Sequence, residues 1–400
     1  MKNRQFDTVL AVVILCLVLF GVVMISSVSV YQSYQITNGM AQNGLLTEPT
    51  NSFYLWRHIW RVLISIPICV FMMYFPINVW KKGALGLFIA SILLLVALFL
   101  PGIGANYGTS TSWIDLPFLP SVQPAEFVKI ALIFYLAVWM EKRQELVQSF
   151  QYGFLPFTFL LSAVVILLAL QPDFGSVLVI SVIAASMFFA AGGSIFHIFG
   201  GGLFASAIAY PIIMSKEYIR NRFMVFFDPT LDPLNISFQI KQALIAVGSG
   251  GIFGVGFGKS IQKFGYLPEV QGDTIFAAAA EELGFIRITV LVVAYLIIAY
   301  RGFSIANRAP NRFAMLVAVG ITSWFVFQAV INIGVNLSLL PLTGLTLPFV
   351  SYGGSSIIVN MIGAGILLNI SRYAQESTNT TNRRRVRRTY YAQPRHRFGA

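Results

Sequence analysis

Charged residues are scarce in this 400-residue chain, where they make up 10% of the sequence against 57% hydrophobic residues. Soluble domains carry about 25% charged residues, and a globule as apolar as this chain could not cover its surface. The scarcity of charge therefore excludes a chain of soluble domains. Together with a mean hydropathy of +0.76, it predicts a multi-pass membrane protein.

Cysteine and histidine are also rare. The two cysteines, Cys16 and Cys69, lie in apolar runs and cannot build a disulfide framework or a cysteine-based metal site. The three histidines, His58, His197 and His396, show no metal-ligand spacing. We therefore expect no redox chemistry, and we expect ordinary interfacial or loop positions for the histidines.

The net charge of +12 is concentrated at the C-terminal end of the chain. Residues 371–400 carry eight arginines and one acid, a charge of +7, and five of these arginines lie between Arg383 and Arg388. Such a run predicts a disordered basic cytoplasmic tail that contacts anionic lipid headgroups. Binding of nucleic acid is the alternative, and we do not expect it.

Apolar stretches close to 20 residues long predict ten membrane-spanning helices. They cover residues 7–30, 57–75, 83–100, 124–140, 154–170, 176–191, 196–214, 276–300, 313–336 and 350–370. The bundle is oriented by its short loops, because lysine and arginine stay on the cytoplasmic side. Loops with Lys81, Lys142 and Arg301 fall on the same side as the basic tail. Residues 1–370 are therefore expected to form the bundle, with both termini in the cytoplasm.

One long outer loop is expected over residues 215–275, between the seventh and eighth spans. Its segment from Ala243 to Phe257 is apolar but rich in glycine, which predicts a poor helix and no span. Residues Gly254 to Ser260 are similar to the end of a phosphate-binding loop, but Phe253 stands where that motif needs its first glycine. Close backbone packing is the expected use of these glycines.

Polar and ionisable residues gather where the topology predicts the outer ends of helices. Glu126 and Lys129 open the fourth span three residues apart, and Asp173 follows the fifth. Glu269 and Asp273 precede the eighth span. Because ionisable groups near the hydrocarbon layer are costly, these segments predict one shared functional cavity. The alternative is that Glu126 and Lys129 only pair and that the acids cap helix N-termini.

Two further groups belong to the same end of the predicted bundle. Ser351 and Ser355 open the tenth span, and Arg220 and Arg222 follow the seventh. The arginines suit a phosphate group, with a solvated loop face as the alternative. Histidine and cysteine are absent from the whole set, so acid chemistry on a charged or sugar substrate fits better than acyl transfer.

Several segments resemble the SEDS family of bacterial wall polymerases. They are QPAEFVKIALIFYLA, LQPDFGSVLVI, RNRFMVFFDPTLDP, FQIKQALIAVGSGGIFGVGFGKSIQKFGYLPE, AAEELGFI and LPLTGLTLPFVSYGGSS. The resemblance extends from the first span to about Arg372, and it is closer to the cell-division branch than to the elongation branch. It implies an all-α, ten-helix membrane bundle that acts as a peptidoglycan glycosyltransferase. Such an enzyme polymerises lipid II with inversion and releases undecaprenyl pyrophosphate.

The resemblance also implies roles for the matched polar residues. Asp273 corresponds to the essential acid before the eighth span, and a carboxylate is a natural general base for an attacking sugar hydroxyl. Glu126, Lys129 and Asp173 match the polar residues of the family's central cavity, and Gln239 lies in a matched segment. The leaving pyrophosphate could be stabilised by the lysine, by an arginine or by a divalent cation such as Mg²⁺ or Mn²⁺.

Three positions depart from the family pattern. Ser112 stands where arginine is common, and Arg287 stands where a small residue is common. Gly272 and Thr274 flank Asp273 where threonine and phenylalanine are usual. The last departure bears directly on the position of the key acid.

The implied partners are a class B penicillin-binding protein, which would cross-link the new strands, and other membrane proteins of cell division. The implied location is the bacterial cytoplasmic membrane at the division septum. Three other functions stay open: a flippase or transporter of lipid-linked substrates, an elongation polymerase, and a non-catalytic scaffold of a division complex. A transporter would place polar groups at the midplane or on both sides of the membrane, whereas here they gather at one level.

Overall fold

The computed structural model of the chain describes residues 5–100, 104–107, 110–114, 121–215, 217–228 and 236–391. Within these ranges the chain is almost entirely helical. The helices are α1 (Thr8–Val28), α2 (Val30–Gln42), α3 (Phe53–Tyr74), α4 (Ile77–Ala97), α5 (Pro124–Lys142), α6 (Leu155–Leu170), α7 (Phe174–Ala190), α8 (Ile195–Ser215), α9 (Glu217–Phe227), α10 (Ile236–Gly250), α11 (Ile275–Asn307), α12 (Arg312–Asn336) and α13 (Ser356–Tyr391). A π-helix (Phe150–Phe154) precedes α6. An antiparallel hairpin of β1 (Gly104–Tyr107) and β2 (Ser110–Ile114) lies between α4 and α5.

The predicted spans can be compared with these helices one by one. Each of the ten overlaps one helix, namely α1, α3, α4, α5, α6, α7, α8, α11, α12 or α13. Seven helical stretches in the described chain are long and apolar enough to cross a membrane. The remaining spans fall on α5, which carries four charged residues, and on the shorter apolar helices Phe174–Ala190 and Ile195–Ala207. An all-α integral membrane fold is therefore confirmed, while the count of ten spans stays a prediction.

Helix α12 lies at the centre of the bundle. The apolar stretches of α12 and of the first part of α13 are 78% buried, against 22% for α3 and 17% for α4. Helix α12 packs against α11, α7 and α5, while α13 packs mainly against α3. The outer helices expose leucine, isoleucine and phenylalanine, which is stable only against lipid or another apolar surface.

The predicted long loop is not a plain loop, because it contains α9 and α10. Residues 243–250 form the second half of α10, so the prediction of a poor helix is wrong for them. The helix packs against α11, and this tertiary contact offsets a glycine cost of about 1 kcal/mol per residue. With 15 residues, α10 is about 22 Å long, which is shorter than the roughly 30 Å hydrocarbon core.

Helix α11 is interrupted at Gly284, where φ is 77° and ψ is 175°. The glycine-rich segment after α10 fills this interruption. Four backbone hydrogen bonds join the two segments, from the amides of Val255, Gly256, Phe285 and Ile286 to the carbonyls of Glu281, Glu282, Gly251 and Ile252 respectively. A Cβ atom on Gly284 would overlap the backbone of Gly254. The predicted close backbone packing is therefore confirmed at Gly254.

The C-terminal end of the described chain differs from the prediction of a disordered tail. Helix α13 continues to Tyr391 and includes the run from Arg383 to Arg388. Arginine, glutamine and glutamate are good helix formers, and extending a helix already nucleated in the bundle costs little. Residues 392–400 lie outside the described residues. The boundary at residue 370 and the contact with anionic lipid stay predictions.

Candidate functional site

The segment of residues 342–347, between α12 and α13, is the place where the polar residues converge. Side chains from α12 and α9 donate hydrogen bonds to its backbone carbonyls. These bonds run from Gln328 Nε2 to Thr346 at 2.9 Å, from Asn332 Nδ2 to Leu345 at 2.7 Å and from Arg222 Nη1 to Leu342 at 3.0 Å. At Gly344, a Cβ atom would lie 4.0 Å from Asp273 Oδ2. The segment therefore joins α9, α12 and the key acid.

Asp273 lies immediately before α11, and its backbone is held from α12. Asn332 Nδ2 and Asn336 Nδ2 donate to the Asp273 carbonyl at 2.8 and 2.9 Å. The carboxylate accepts a long hydrogen bond of 3.5 Å from Gln239 Nε2. Its Oδ1 atom is buried and has no hydrogen-bond partner among the described residues. Since buried acceptors are normally paired, this oxygen is available to a substrate proton.

The electrostatic surroundings of Asp273 suit a base that works near neutral pH. Burial raises the pKa of Asp273 to about 7, and the neighbouring Glu269 carboxylate adds to the rise. The hydrogen bond from Gln239 and the positive charge of Arg222 oppose this rise in pKa. A general base is most effective when its pKa lies near the working pH.

Glu126 and Lys129 form a buried pair one turn inside α5. Lys129 is fully buried, and its Nζ donates to Glu126 Oε1 at 2.7 Å and to Gln328 Oε1 at 2.9 Å. The ammonium also lies 4.9 Å from the centre of the Trp324 ring. Glu126 Oε2 has no hydrogen-bond partner within the described ranges. The pairing that the sequence offered as the alternative is therefore present, and Gln328 links the pair to residues 342–347.

Asp173 caps α7. Its Oδ1 accepts from the Ser176 amide at 3.0 Å, and its Oδ2 accepts from Ser176 Oγ at 2.8 Å and from Gln123 Nε2 at 3.3 Å. The alternative of a capping acid is therefore confirmed for Asp173. The cap still lies close to the site, because Gly175 packs against the Thr343 carbonyl and the Leu345 side chain with no room for a Cβ atom.

The two predicted serines hold loops rather than face Asp273. Ser351 Oγ accepts from the Leu347 amide at 2.8 Å. Ser355 Oγ accepts from the Gln123 amide at 2.9 Å and donates to the Ser121 carbonyl at 3.3 Å. They fix the segments on either side of the site.

The charged residues of the predicted loop reach the site in different ways. Arg220 and Arg222 lie on α9 and are half-buried, and Arg220 Nε has no hydrogen-bond partner in the described part of the chain. Glu269 is exposed, with φ at 49° in the left-handed region that non-glycine residues seldom adopt. Its carboxylate and the Arg222 guanidinium both act electrostatically on the Asp273 carboxyl group, with opposite effects on its pKa.

Glu281 and Glu282, which lie in the first half of α11, have structural roles. Glu282 is fully buried and binds Lys263 Nζ at 3.0 Å and Ser27 Oγ at 2.6 Å. Glu281 accepts from Ser260 Oγ and from the Ile261 amide. The contacts of Lys263, Ser260 and Ile261 tie the loop after α10 to α11, and the Ser27 contact ties α1 to α11. The two glutamates therefore brace the interrupted helix.

Sequence reasoning missed the amide side chains of α12. Gln328, Asn332 and Asn336 are four residues apart, so they lie on one helix face. They connect Lys129 to residues 342–347 and then to Asp273. Amide side chains spaced by four residues in an otherwise apolar helix indicate a buried polar face. The spacing does not reveal which groups these side chains bind.

A partly buried acid, a buried lysine–glutamate pair and arginines, together at one end of a helical bundle, define a membrane protein with a charged polar site. The sequence model of the FtsW, RodA and SpoVE family, described as "Cell cycle protein", matches residues 7–376. The chain belongs to this family, and the resemblance noted in its motifs is confirmed.

Curated relatives match over nearly the whole chain. Stage V sporulation protein E of Bacillus subtilis is 38% identical over 379 residues, covering 94% of this chain and 99% of the relative. The probable peptidoglycan glycosyltransferase FtsW of Geobacter sulfurreducens is 37% identical over 369 residues, covering 92% and 95%.

Solved structures share the fold. A chain from a peptidoglycan synthase complex, in a study of the coordination of polymerization and crosslinking, aligns with a TM-score of 0.74 at 28% identity over 92% of this chain and 98% of that one. The rod shape determining protein RodA of Thermus thermophilus aligns with a TM-score of 0.67 at 26% identity, covering 93% and 98%. The chain is accordingly a multi-pass membrane protein of bacterial type.

Proposed function

We propose that this chain is a peptidoglycan glycosyltransferase that polymerises lipid II for the septal wall. The observation that carries the proposal is the Asp273 carboxylate, which has a buried and unpaired Oδ1 atom and a pKa raised by burial to about 7. Relatives at 36–38% identity that carry the name FtsW or belong to the same family support the assignment. Arg222, which acts on the acid, and Arg220 on the same helix suit a pyrophosphate-linked substrate.

Asp273 is the general base in this reaction. It accepts the proton of the acceptor sugar hydroxyl while the hydroxyl oxygen forms a bond to the anomeric carbon of the donor. The bond from that carbon to the pyrophosphate oxygen breaks, and the electron pair leaves with undecaprenyl pyrophosphate. Arg222 and Arg220 stabilise the negative charge that develops on the leaving group. Attack opposite the leaving group inverts the anomeric centre without a covalent enzyme intermediate.

Lys129 has a more distant role than the arginines. Its three donors face Glu126, Gln328 and the Trp324 ring, and the side chain is fully buried. The pair therefore positions residues 342–347 and supplies a fixed positive charge beneath the site. Asp173 holds the end of α7 against the same segment.

A divalent cation, Mg²⁺ or Mn²⁺, is the candidate cofactor. The described residues contain no group of three or more acids, histidines or cysteines that could hold a metal by themselves. Mg²⁺ commonly binds one or two carboxylates together with substrate phosphates, and Glu269 beside Asp273 fits that pattern. Glu269 would hold the cation together with the substrate phosphates, and the cation would neutralise charge on the pyrophosphate.

The proposed partner is a class B penicillin-binding protein that cross-links the polymerised strands, together with other membrane proteins of cell division. Support comes from the fold shared with a chain of a synthase complex that couples polymerization to crosslinking. We also propose a septal location, cytoplasmic termini, and contact of the basic tail with anionic lipid.

A role in sporulation or in elongation is the second candidate, with the same chemistry. The observations that favour it are the 38% identity to stage V sporulation protein E and the fold shared with RodA. Depletion of the chain in its own host separates these roles: filaments indicate division, rounded cells indicate elongation, and a defect confined to spores indicates sporulation.

The decisive experiment is polymerisation of purified lipid II by the purified chain, alone and with its cognate transpeptidase. We expect glycan strands and release of undecaprenyl pyrophosphate, stronger with the partner. Movement of lipid II across vesicle membranes without any polymer, with and without the partner, would instead support a flippase. EDTA followed by Mg²⁺ or Mn²⁺ tests the cation, since activity should fall and then return.

A further inference from the structure

We propose that the first turns of α3 form a second phosphate-binding site, made by Tyr54, Arg57, His58 and Arg61 and hereafter called the α3 cationic face. It binds the pyrophosphate of one lipid-linked substrate while the α9 arginines face that of the other. The inference rests on the proposed function, because a polymerase that joins lipid-linked sugars holds two pyrophosphate-bearing molecules at once.

The spacing of these residues places them together. Positions 54, 57, 58 and 61 are separated by three, four and seven residues, so they lie on one face of a helix. Trp56 and Trp60 point elsewhere and are 59% and 63% exposed. Tryptophan collects at the membrane–water interface. The α3 cationic face therefore lies at the depth of lipid phosphate groups.

Two of its side chains carry buried nitrogen atoms that nothing in the described chain satisfies. His58 is fully buried, and neither of its ring nitrogens, one donor and one acceptor in the neutral imidazole, has a hydrogen-bond partner within the described residues. Arg61 Nη1 is likewise buried without a partner there. Because buried polar groups are normally paired, these nitrogen atoms indicate a polar ligand from outside this set.

Arg61 is held in position for such a ligand. Its guanidinium lies 4.5 Å from the centre of the Tyr352 ring, and that ring also packs against Tyr54 at 5.0 Å and against His58 at 6.0 Å between ring centres. A Cβ atom on Gly354 would lie 3.8 Å from Arg61 Nη2, so the glycine leaves the guanidinium edge open. A planar guanidinium stacked on an aromatic ring is suited to bidentate phosphate binding.

The α3 cationic face is connected to the key acid. Tyr54 interacts electrostatically with Arg57, Arg61 and Glu269, and Glu269 in turn acts on Asp273. The Tyr352 amide donates to the Gln271 carbonyl at 2.8 Å, two residues before Asp273. Arg222 of α9 acts on Asp273 directly, whereas the α3 cationic face is linked to Asp273 through Glu269 and through Tyr352.

A binding measurement tests the site without relying on turnover. The Asp273→Asn chain, reconstituted in phosphatidylcholine vesicles, is titrated with undecaprenyl pyrophosphate and followed by native mass spectrometry. We expect two bound molecules, and one when Arg57→Gln and Arg61→Gln are added. The affinity of the lost event should fall by about tenfold or more, equivalent to about 1.4 kcal/mol. Lys259→Gln, which removes an exposed cation elsewhere, should leave both events unchanged.

A kinetic measurement on the otherwise wild-type chain follows the same logic. Arg61→Gln and His58→Leu should raise the lipid II concentration at half-maximal rate by about tenfold while kcat changes by less than about threefold. Vesicles of phosphatidylglycerol and of phosphatidylcholine are compared. A defect present in both assigns the site to the substrate, whereas a defect confined to phosphatidylglycerol assigns it to bulk anionic phospholipid and overturns the proposal.

The outcomes separate this inference from the proposed function. Suppose that the wild-type chain polymerises lipid II. If the arginine variants then show unchanged undecaprenyl pyrophosphate binding and an unchanged lipid II concentration at half-maximal rate, the α3 site alone is overturned. If the arginine variant binds one undecaprenyl pyrophosphate fewer than the wild-type chain, and the wild-type chain makes no polymer, the α3 site stands and the proposed polymerase activity is overturned.

Discussion

At the scale of single residues, the site is defined by an acid whose backbone is fixed and whose carboxylate keeps one oxygen unpaired within the described chain. Asn332 and Asn336 both bind the Asp273 carbonyl, while Oδ1 has no partner in the described chain. The other acids of the region are used structurally: Asp173 caps a helix and Glu126 pairs with a lysine. A general base must be positioned and unoccupied at the same time, and Asp273 meets both conditions.

The first prediction concerns that carboxylate. Asp273→Ala and Asp273→Asn should lower the rate of lipid II polymerisation by about 10²-fold or more, because neither side chain can accept the proton. Asp273→Glu should retain a little activity. Lipid II binding by the inactive variants should persist, which shows that the bundle is intact. Near wild-type polymerisation by stably inserted Ala and Asn variants would move the chemistry to Glu126 or Asp173.

The second prediction concerns pH. Because the pKa of Asp273 is raised to about 7, the carboxylate is mostly protonated below that pH. The kcat/KM for polymerisation should therefore rise about tenfold per unit as pH increases toward 7 and level off above it.

Glu269→Gln provides the control for this profile. Removing the Glu269 charge should lower the pKa of Asp273 and move the acid limb of the profile to lower pH, with the remaining elevation due to burial. An acid limb that stays in place in this variant, or that is absent from the wild-type profile, would contradict the assignment of Asp273 as the titrating base.

At the scale of elements, the interrupted helix α11 decides where Asp273 can lie. The segment of residues 251–256 supplies the hydrogen bonds that the break at Gly284 leaves open. The buried pair of Glu282 and Lys263 ties the following loop to the same place. Breaking a buried ion pair costs about 3–5 kcal/mol. The loop that leads to Asp273 is therefore attached to α11 by a buried ion pair and by backbone hydrogen bonds.

The third prediction tests the interlock, by which we mean the packing of residues 251–256 into the break of α11 at Gly284. Gly284→Ala should lower folding stability by about 3 kcal/mol or more, because a φ of 77° with a ψ of 175° suits only glycine and because a Cβ atom would overlap Gly254. Gly248→Ala is the matched control, since a Cβ atom there meets nothing within 4 Å. Thermal unfolding in detergent should show a large loss for Gly284→Ala only. Equal midpoints for the two variants would rule the interlock out as a stabilising feature.

At the scale of the whole molecule, the bundle separates a polar end from apolar, lipid-facing sides. Helix α12 forms the centre, and its amide face carries contacts from Lys129 to Asp273. At the opposite, predicted cytoplasmic side, a salt bridge forms a clamp between the start of α1 and α11. Arg301 binds the Asp7 carboxylate there with a shortest distance of 2.6 Å. Asp273 lies just before the first residue of α11, whereas Arg301 lies in the last two turns of this 33-residue helix.

The fourth prediction is the topology. Single cysteines placed at Gln262 in the loop before α11 and at Glu376 in the tail, in a chain with Cys16 and Cys69 replaced by alanine, should differ in labelling. An impermeant maleimide added to intact cells should label the cysteine at 262 and should reach the one at 376 only after lysis. Labelling of residue 262 only after lysis would reverse the bundle and place Asp273 away from an external substrate.

The sequence by itself determined the class of fold and the location of the polar residues along the chain. Hydropathy and charge are local properties, so runs near 20 residues predict the helices, and each of the ten runs overlaps one. The identity of Asp273 as the key acid came from a matched motif, and it remains a prediction for experiment. The helix α10 and the helical continuation of α13 were not anticipated, because packing and helix extension outweighed local composition.

Only the tertiary structure decided what each polar residue binds. Glu282 contacts Ser27, which is 255 positions away, and Asp273 is held by Asn332, 59 positions away. Such partners depend on how helices pack, and packing brings together residues whose separation in sequence carries no signal of contact. The sequence therefore offered several equivalent acids at one end of the bundle. Packing paired most of their oxygens and left Asp273 Oδ1 and Glu126 Oε2 unpaired within the described chain, the second of them beside Lys129.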